Sequence, residues 1–403
     1  MSGSKDVVIV GGARTPMCEY SGTPGFGKLK GISAIDLAAH ASRAAIERAR
    51  VDPESIEHVV VGNALQTSLD ALYGARHVGL KAGVPQHVPA LTVNRLCGSG
   101  IQSIVNGAQC IQLGEAATVL AGGMENMSQA PYALYGGRSG FSFGTAPELK
   151  DTLFGSLTDP VAGLMMAQTA EKVAKSRGIG RQAQDEFALR SHQLGAAAVH
   201  EGRFAEEIEP VKIESRRGQT VIDSDDHIKP DTSLEALAKL RAAFGQDGTV
   251  TAGNASGIVD GAAAVVLTTR ERAAADGLDV WAVVRGWSYV GVDPTEMGIG
   301  PVPAIRKCLE TTGVAQDDVD LFEINEAFAA QYLGCEKELG LERDKCNVNG
   351  GAISLGHPLG ATGTRLVLTL MYQLRRAGKR YGMASACIGG GQGIAMLIEN
   401  PGA

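Results

Sequence analysis

"TVNRLCGSGIQSI", residues 92–104, sets a lone cysteine, Cys97, between a strand-like run and a helix-like run. Upstream, "VPALTV" is apolar and β-branched. Downstream of Gly98, residues Ile101, Ile104, Val105, Ala108 and Ile111 recur at helical spacing. A strand that turns directly into a helix is the building unit of an α/β sheet. The loop between the two is where such sheets usually bind ligands.

Neighbouring segments repeat the alternation. "DVVIVGGARTP" (6–16) reads as a strand ending in a Gly-Gly turn, and "SAIDLAAHASRAAIERAR" (33–50) as a helix with Ser33 at its N-cap and Asp36 three residues on. "IEHVVVGNAL" (56–65) and "AATVLAGGMENMS" (116–128) read as further strands. This alternation predicts parallel sheets covered by helices on both faces. From about 124 to 250 the character changes to loop-like sequence, two helices (about 160–178 and 181–202) and a polar stretch, "ESRRGQTVIDSDDHIKPDTS". That whole region reads as an insertion rather than as more sheet. Strand patterns return at "AAAVVLTT" and "VWAVVRGWSYVG".

The last third echoes the first. "VVVGNA" (59–64) aligns with "LFEINEA" (321–327), matching Asn63 to Asn325. "TVNRLCGSG" aligns with "NVNGGAISLGHPLGATG", matching Asn94 to Asn349, and "VLAGGMEN" with "ASACIGGGQG". A duplication predicts two equivalent α/β halves about a pseudo-twofold axis, with their strand-end loops converging on one site.

Composition narrows the function classes. A chain of 403 residues, 44% hydrophobic and 20% charged, is a globular protein of two or three domains. A net charge of −7 gives no general attraction to nucleic acid or anionic membrane. The seven cysteines are odd in number and form no CxxC pair, which predicts free thiols and no metal site. No apolar run has the length of a membrane span, the start is too short for a signal peptide, and "ENPGA" is no address motif, so a cytoplasmic setting is expected.

Four segments carry candidate chemistry. Cys97 at a helix N-terminus has a setting that favours thiolate, with Gly98 and Gly100 leaving room for a substrate; the same context also fits a structural thiol. His357 lies in "GGAISLGHPLGATGTR", a glycine-rich turn stiffened by Pro358; it suits a base or an oxyanion donor, and equally a turn histidine bonded to backbone. Cys387 ends an apolar run followed by three glycines, whose amides offer an oxyanion hole or a plain tight turn. Asn325 in "EINEAFAAQ" is either a cap or a water-holding side chain. Arg216, Arg217 and Lys229 are basic candidates for a phosphate contact, or a solvated loop face.

Taken together, "VNRLCGSG", "GNASGIVDGAAA", "NEAFAAQ", "GGAISLGHPLGATGTR" and "CIGGGQG", in that order along the whole chain, resemble the thiolases, the acyl-CoA acetyltransferases of the thiolase superfamily. The resemblance implies two duplicated five-stranded α/β domains stacked α-β-α-β-α. It divides the chain into residues 1–123 plus 250–275, an inserted loop domain at 124–249 that binds coenzyme A, and residues 276–403. It implies that Cys97 carries the acyl group as a thioester and that His357 activates it. Cys387 is then the acid/base at the substrate α-carbon. Asn325 holds a water in one oxyanion hole, and the amides of Cys97 and Gly389 form the other.

Lys229 and Ser256 match coenzyme A contacts, and Met166, Met297 and Phe328 match the acyl pocket. Coenzyme A is then a substrate and no cofactor is needed; acetyl-CoA, acyl-CoA and free CoA are the partners, in a homodimer or homotetramer. Where acetoacetyl-CoA-specific enzymes carry His-Met-Gly, this chain reads "LMMAQTAEK", with Met165 at the histidine position, which leaves acyl chain length open. Competing readings are a decarboxylating ketoacyl synthase, which the second thiol disfavours, and a non-catalytic CoA-binding scaffold, which the presence of all four catalytic residues disfavours. A redox dithiol protein is a third.

Overall fold

The computed structural model describes residues 6–216, 218–245 and 247–403. The first half builds β1 (Val7–Arg14), α1 (Ala34–Ala49), β2 (His58–Asn63), α2 (Gly74–Lys81), β3 (Ala90–Val93), α3 (Ser99–Leu113) and β4 (Thr118–Glu125). A long excursion follows, containing α4 (Met166–Arg177), α5 (Arg181–His200) and a hairpin of Val211–Ser215 with Gly218–Ile222. The sheet then resumes with β5 (Val259–Thr269). The second half builds β6 (Ala282–Gly291), α6 (Pro301–Thr312), β7 (Leu321–Ile324), α7 (Ala329–Leu339), α8 (Leu359–Ala377), β8 (Tyr381–Ile388) and β9 (Gln392–Glu399).

Within the first half the strands lie in the order β1-β5-β4-β2-β3, and within the second in the order β6-β9-β8-β7. A single parallel bridge from Phe322 to Cys346 stands where β3 stands in the first half. The halves therefore share one topology of five positions, and they join where β1 pairs with β6 through Val8–Val283 and Ile9–Ala282.

The pairing is mixed, where the alternation predicted parallel sheets. β2 with β3, β2 with β4 and β7 with β8 are parallel, but the last strand of each half returns antiparallel. The reason is local at the second half. Gly390 and Gly391, at φ +79° and +78°, close β8 and β9 into a tight hairpin with no helix to carry a crossover.

Side-chain alternation along the strands defines the layers. Val8, Val10, Val59, Val61 and Val266 face α1 and α2 on one outer side. Val7, Ile9, Val60, Val265 and Leu267 face inward, as do Ala384, Ala386, Ile394 and Met396 of the other half; between these surfaces lie Ile101, Ile104 and Val105 of α3 and Leu366, Val367 and Leu370 of α8. Met383, Ala395 and Leu397 pack outward on Ile305 and Leu309 of α6. The five layers are thus α-β-α-β-α, with α3 and α8 buried in the middle.

Two local expectations change. The strand opening the chain does not turn at Gly11-Gly12 but runs on to Arg14, with a register shift between Ile9 and Gly11. Glycine is needed there because a side chain at position 11 would come within 2.6 Å of the Ala49 backbone in α1. The helix expected over about 160–178 begins only at Met166, because Thr158–Asp159 and Leu164–Met165 pair into a small hairpin first. Ser33 does cap α1, its hydroxyl accepting the Asp36 amide at 3.1 Å.

The central helices meet through reciprocal glycines. A Cβ on Gly100 would lie 2.3 Å from the Thr364 amide nitrogen, and one on Gly363 would lie 2.3 Å from that of Ile101. At an ordinary helix position alanine is better than glycine by about 1 kcal/mol. Here overpacking reverses the sign, and Gly363→Ala is expected to destabilise the protein by roughly 1–3 kcal/mol in urea denaturation. A neutral or stabilised variant would show that the helices do not make this contact.

Candidate active site

Cys97 sits in the tight turn Leu96–Gly98 that leads into α3. The turn holds Leu96 at φ +47°, a left-handed conformation rarely adopted by such a side chain, so its surroundings must fix it. They do so with hydrogen bonds: Leu96 N–H donates to Asn94 Oδ1 at 2.9 Å, Arg95 N–H to Ser99 Oγ at 2.8 Å, and the Ser99 hydroxyl to Leu96 O at 2.7 Å. The Arg95 guanidinium reaches across to Gln392 Oε1 at 3.1 Å and lies 4.7 Å from the Tyr289 ring centre, so the turn is held by both halves.

The β8–β9 hairpin closes on this turn from the other half. A Cβ on Gly98 would meet the Ile388 side chain, and one on Gly389 would meet those of Leu96 and Met166. The backbone N–H groups of Gly389 and of Cys97 itself favour the thiolate form of Cys97. Burial nevertheless outweighs these donors and pushes the Cys97 thiol up to about 11. This corrects the expectation of a thiol lowered by the helix end. Desolvation, absent from a sequence, dominates.

His357 comes from a segment without a counterpart in the first half. Strand register makes Ala90 and Cys346 equivalent, as the partners of Val59 and Phe322, while the helix contacts make Gly100 and Gly363 equivalent. The second half therefore carries extra residues between them, including the short helix Ala352–Leu355, and His357 follows that helix. Its backbone N–H donates to Gly257 O at 2.8 Å. Nδ1 lies 2.6 Å from Thr362 Oγ1, whose own hydroxyl donates to Pro358 O at 3.0 Å. Nδ1 therefore carries the hydrogen and Nε2 is left as an acceptor, 3.3 Å from Asn325 Nδ2. Burial, and then Arg365, drive the His357 pKa down to about 3, so the ring is neutral.

Asn325 follows β7 and is fully buried. Its N–H donates to Ser385 O at 2.9 Å, and its Oδ1 has no hydrogen-bond partner among the described residues, which leaves an acceptor free for a bound group. Cys387 is the penultimate residue of β8 and is also buried. Burial first, and then the neighbouring Cys97, raise its thiol well above the ordinary range. Both thiols are protonated at neutral pH.

A predominantly apolar pocket opens beside these groups. Its walls include Met165, Met166, Phe244, Ser256, Phe328 and His357. "GNASG" and "NEAFAAQ" shape it together, the Ser256 N–H donating to Ala327 O at 3.0 Å and the Ala329 N–H to Asn254 O at 2.9 Å. Met166, Ser256, Phe328 and His357 thus share one pocket. Met297 is buried behind it with Ala327 and Cys387. Lys229 is exposed on a loop beside Glu19 and His192 and is not itself one of those wall residues. Arg216 is exposed on the hairpin turn, and Arg217 lies outside the described residues.

Sequence reading missed three positions around the site. Thr362 fixes the His357 tautomer and lies within the quoted "GATG". Arg365, paired with Glu323 at 3.1 Å, adds to burial in keeping the imidazole neutral. Glu125, buried at the end of β4, had no signal beyond a charge closing an apolar run. Among the described residues there is no cluster of three or more histidine, cysteine or carboxylate side chains fit for a metal, and no helix long and apolar enough to cross a membrane.

Comparison with known proteins agrees with this architecture. The family model for the thiolase N-terminal domain matches residues 7–271, and that for the C-terminal domain residues 278–400. The chain is 48% identical to human mitochondrial 3-ketoacyl-CoA thiolase over 98% of each chain, and 47% identical to the acetyl-CoA acetyltransferase of Escherichia coli over 98% of this chain and 99% of that one. The crystal structure of the human enzyme superposes with a TM-score of 0.96, covering 98% of this chain and 99% of that one. Its complex with CoA superposes with a TM-score of 0.95 over 98% of each. With its duplicated fold, five ordered motifs and paired thiols, this chain belongs to the thiolase family.

Proposed function

We propose that this protein is an acyl-CoA C-acyltransferase. It would join two acetyl-CoA molecules into acetoacetyl-CoA and CoA, or cleave a 3-ketoacyl-CoA with CoA into acetyl-CoA and a shortened acyl-CoA. One observation carries the reading: two thiols from opposite halves, the half-buried Cys97 and the buried Cys387, lie together beside a pocket walled by a neutral histidine.

The proposed chemistry follows from these protonation states. The Cys97 thiol loses its proton to His357 Nε2 as its sulfur attacks the acyl thioester carbonyl. The amides of Cys97 and Gly389, which already favour the Cys97 thiolate, suit the oxyanion formed there; such donors are each worth about a hundred- to thousandfold in rate. The C–S bond to CoA breaks and CoA leaves as its thiolate, which takes a proton. In synthesis, the Cys387 sulfur, once deprotonated by that exchange, removes the α-proton of the second acetyl-CoA. The enolate oxygen faces the protonated His357 and a water held by Asn325 Oδ1, and the carbanion attacks the acyl-Cys97 carbonyl and expels the Cys97 thiolate. Thiolysis runs the same steps in reverse. Homologues named for CoA, and one solved with CoA bound, support CoA as the carrier.

Met165, at the position where the acetoacetyl-CoA-specific pattern has histidine, walls the pocket together with Leu157, which favours an acyl group longer than acetyl. Side-by-side thiolysis of acetoacetyl-CoA and a long-chain 3-ketoacyl-CoA tests this. Faster cleavage of the long substrate is expected, and cleavage of the short one alone overturns it.

The two thiols have separate duties. Cys97→Ser is expected to abolish the acetyl adduct seen by intact mass after mixing with acetyl-CoA, whereas Cys387→Ser still acylates but loses turnover. An unacylated Cys387→Ser protein would sink this division.

Because both Cys97 and His357 are neutral at rest, the free thiol should behave as a hindered ordinary thiol. Its pKa is raised, so it holds its proton to higher pH than an unfolded cysteine, and thiolate appears only toward about 11. Iodoacetamide labelling of the Cys97 peptide is therefore expected to climb steadily from about pH 6 to about pH 9. A plateau beginning near pH 5 would instead reveal a preformed thiolate–imidazolium pair.

A further inference from the structure

The duplication offers a second copy of the site's framework, and a buried carboxylate occupies it. In the first half Met124 lies opposite Asn63; in the second, the register Ile324–Ser385 continues to place Ala386 opposite Asn325. Those two pairs sit on opposite faces of their sheets; the register shift that both halves share aligns Leu267 with Ile398 and Gly261 with Gln392, so Glu125 is the counterpart of Ile388 and Met124 that of Cys387. Since Gly100 and Gly363 are equivalent, the counterpart of Cys97 is Gly360.

Glu125 touches the counterpart of Cys97 directly. Its Oε1 accepts Asn63 Nδ2 at 2.9 Å and Leu65 N–H at 3.0 Å; its Oε2 accepts Ala64 N–H at 3.1 Å and Gly360 N–H at 2.8 Å. In the second half the Ile388 side chain packs on Gly98, next to Cys97; in the first, the equivalent position holds a carboxylate bound to the Gly360 amide.

Two chains of contact lead from Glu125 into the active site. Gly360 is the second residue of α8, three positions after His357 and two before Thr362, which holds the imidazole. Ala64 O accepts Asn94 Nδ2 at 3.1 Å, and Asn94 Oδ1 accepts Leu96 N–H, the hydrogen bond that holds the left-handed residue before Cys97. One carboxylate thus ties the loop bearing the histidine to the turn bearing the nucleophile, across the two halves.

We propose that Glu125 is a positioning residue for the acyl-transfer reaction, setting the Cys97 turn and the His357 loop relative to each other through Asn94 and Gly360. The inference rests on the acyl-transfer reading above. Glu125 lines no part of the apolar pocket, so its loss should act on turnover rather than on substrate binding. A glutamine there would turn one amide toward two N–H groups that need acceptors, disturbing both chains of contact.

The test is steady-state thiolysis by Glu125→Gln and Asn94→Ala beside the wild type, with circular dichroism to confirm folding. Glu207→Gln serves as a control: it also removes a buried carboxylate, one bound to Arg14 at 2.7 Å outside the site. Glu125→Gln is expected to lower kcat at least tenfold with KM for the 3-ketoacyl-CoA within about twofold, and to slow iodoacetamide labelling of Cys97, while Glu207→Gln loses thermal stability only. Asn94 is exposed, so Asn94→Ala folds even if Glu125→Gln does not, and a fall in kcat of threefold or more with unchanged KM is expected of it. A kcat within twofold of wild type in either variant, or a loss that Glu207→Gln reproduces, overturns the positioning role. A wild type inactive on every 3-ketoacyl-CoA would instead overturn the acyl-transfer reading itself.

Discussion

The contact between α3 and α8 at Gly100 and Gly363 is the constraint on which the rest of the molecule depends. Backbone meets backbone there, with no room for a single methyl group on either side. That closeness lets both helices share one layer between two sheets. It also brings their N-terminal turns, one carrying Cys97 and the other following His357, to the same end of the layer. The glycines of "CGSG" and "GATG" are thus needed first for packing, and the chemistry is placed by the packing they allow.

Once the two turns converge, burial sets their protonation. Cys97 and Cys387 are pushed upward and His357 downward, so all three groups are neutral at rest. A neutral site suits an uncharged thioester in an apolar pocket, because no buried ion must be neutralised before substrate enters. The proton moves only when the sulfur attacks, and the donors that stabilise the resulting charge are backbone amides fixed by the β8–β9 hairpin. Arg365 contributes from a distance: paired with Glu323, it disfavours a second positive charge on the imidazole.

The duplicated halves have diverged at three equivalent points. Cys97 corresponds to Gly360, Cys387 to Met124, and His357 to nothing, since it stands on the segment present only in the second half. One copy of the framework is therefore open and reactive, and the other is internally satisfied by a carboxylate with four donors. Divergence of this kind lets one half rigidify what the other half uses, which is how an active site keeps strained residues such as Leu96 in place.

Much of this was legible in the chain itself. Apolar periodicity located the strands and helices, the echo between the first and last thirds announced the duplication, and the glycine-flanked Cys97, His357 and Cys387 stood out because their neighbours allow close backbone approach. Periodicity is a local property, and so are caps such as Ser33. Sheet direction was not legible: a parallel arrangement was expected, and the return of the last strands antiparallel depends on how each half closes. Nor were the thiol and imidazole protonation states, because desolvation depends on what packs around a group from distant parts of the chain. Thr362, Arg365 and Glu125 are ordinary residues in sequence. They gain their roles only when α8 docks against α3 and the end of β4, since a hydrogen bond between residues 125 and 360 is made by tertiary packing alone.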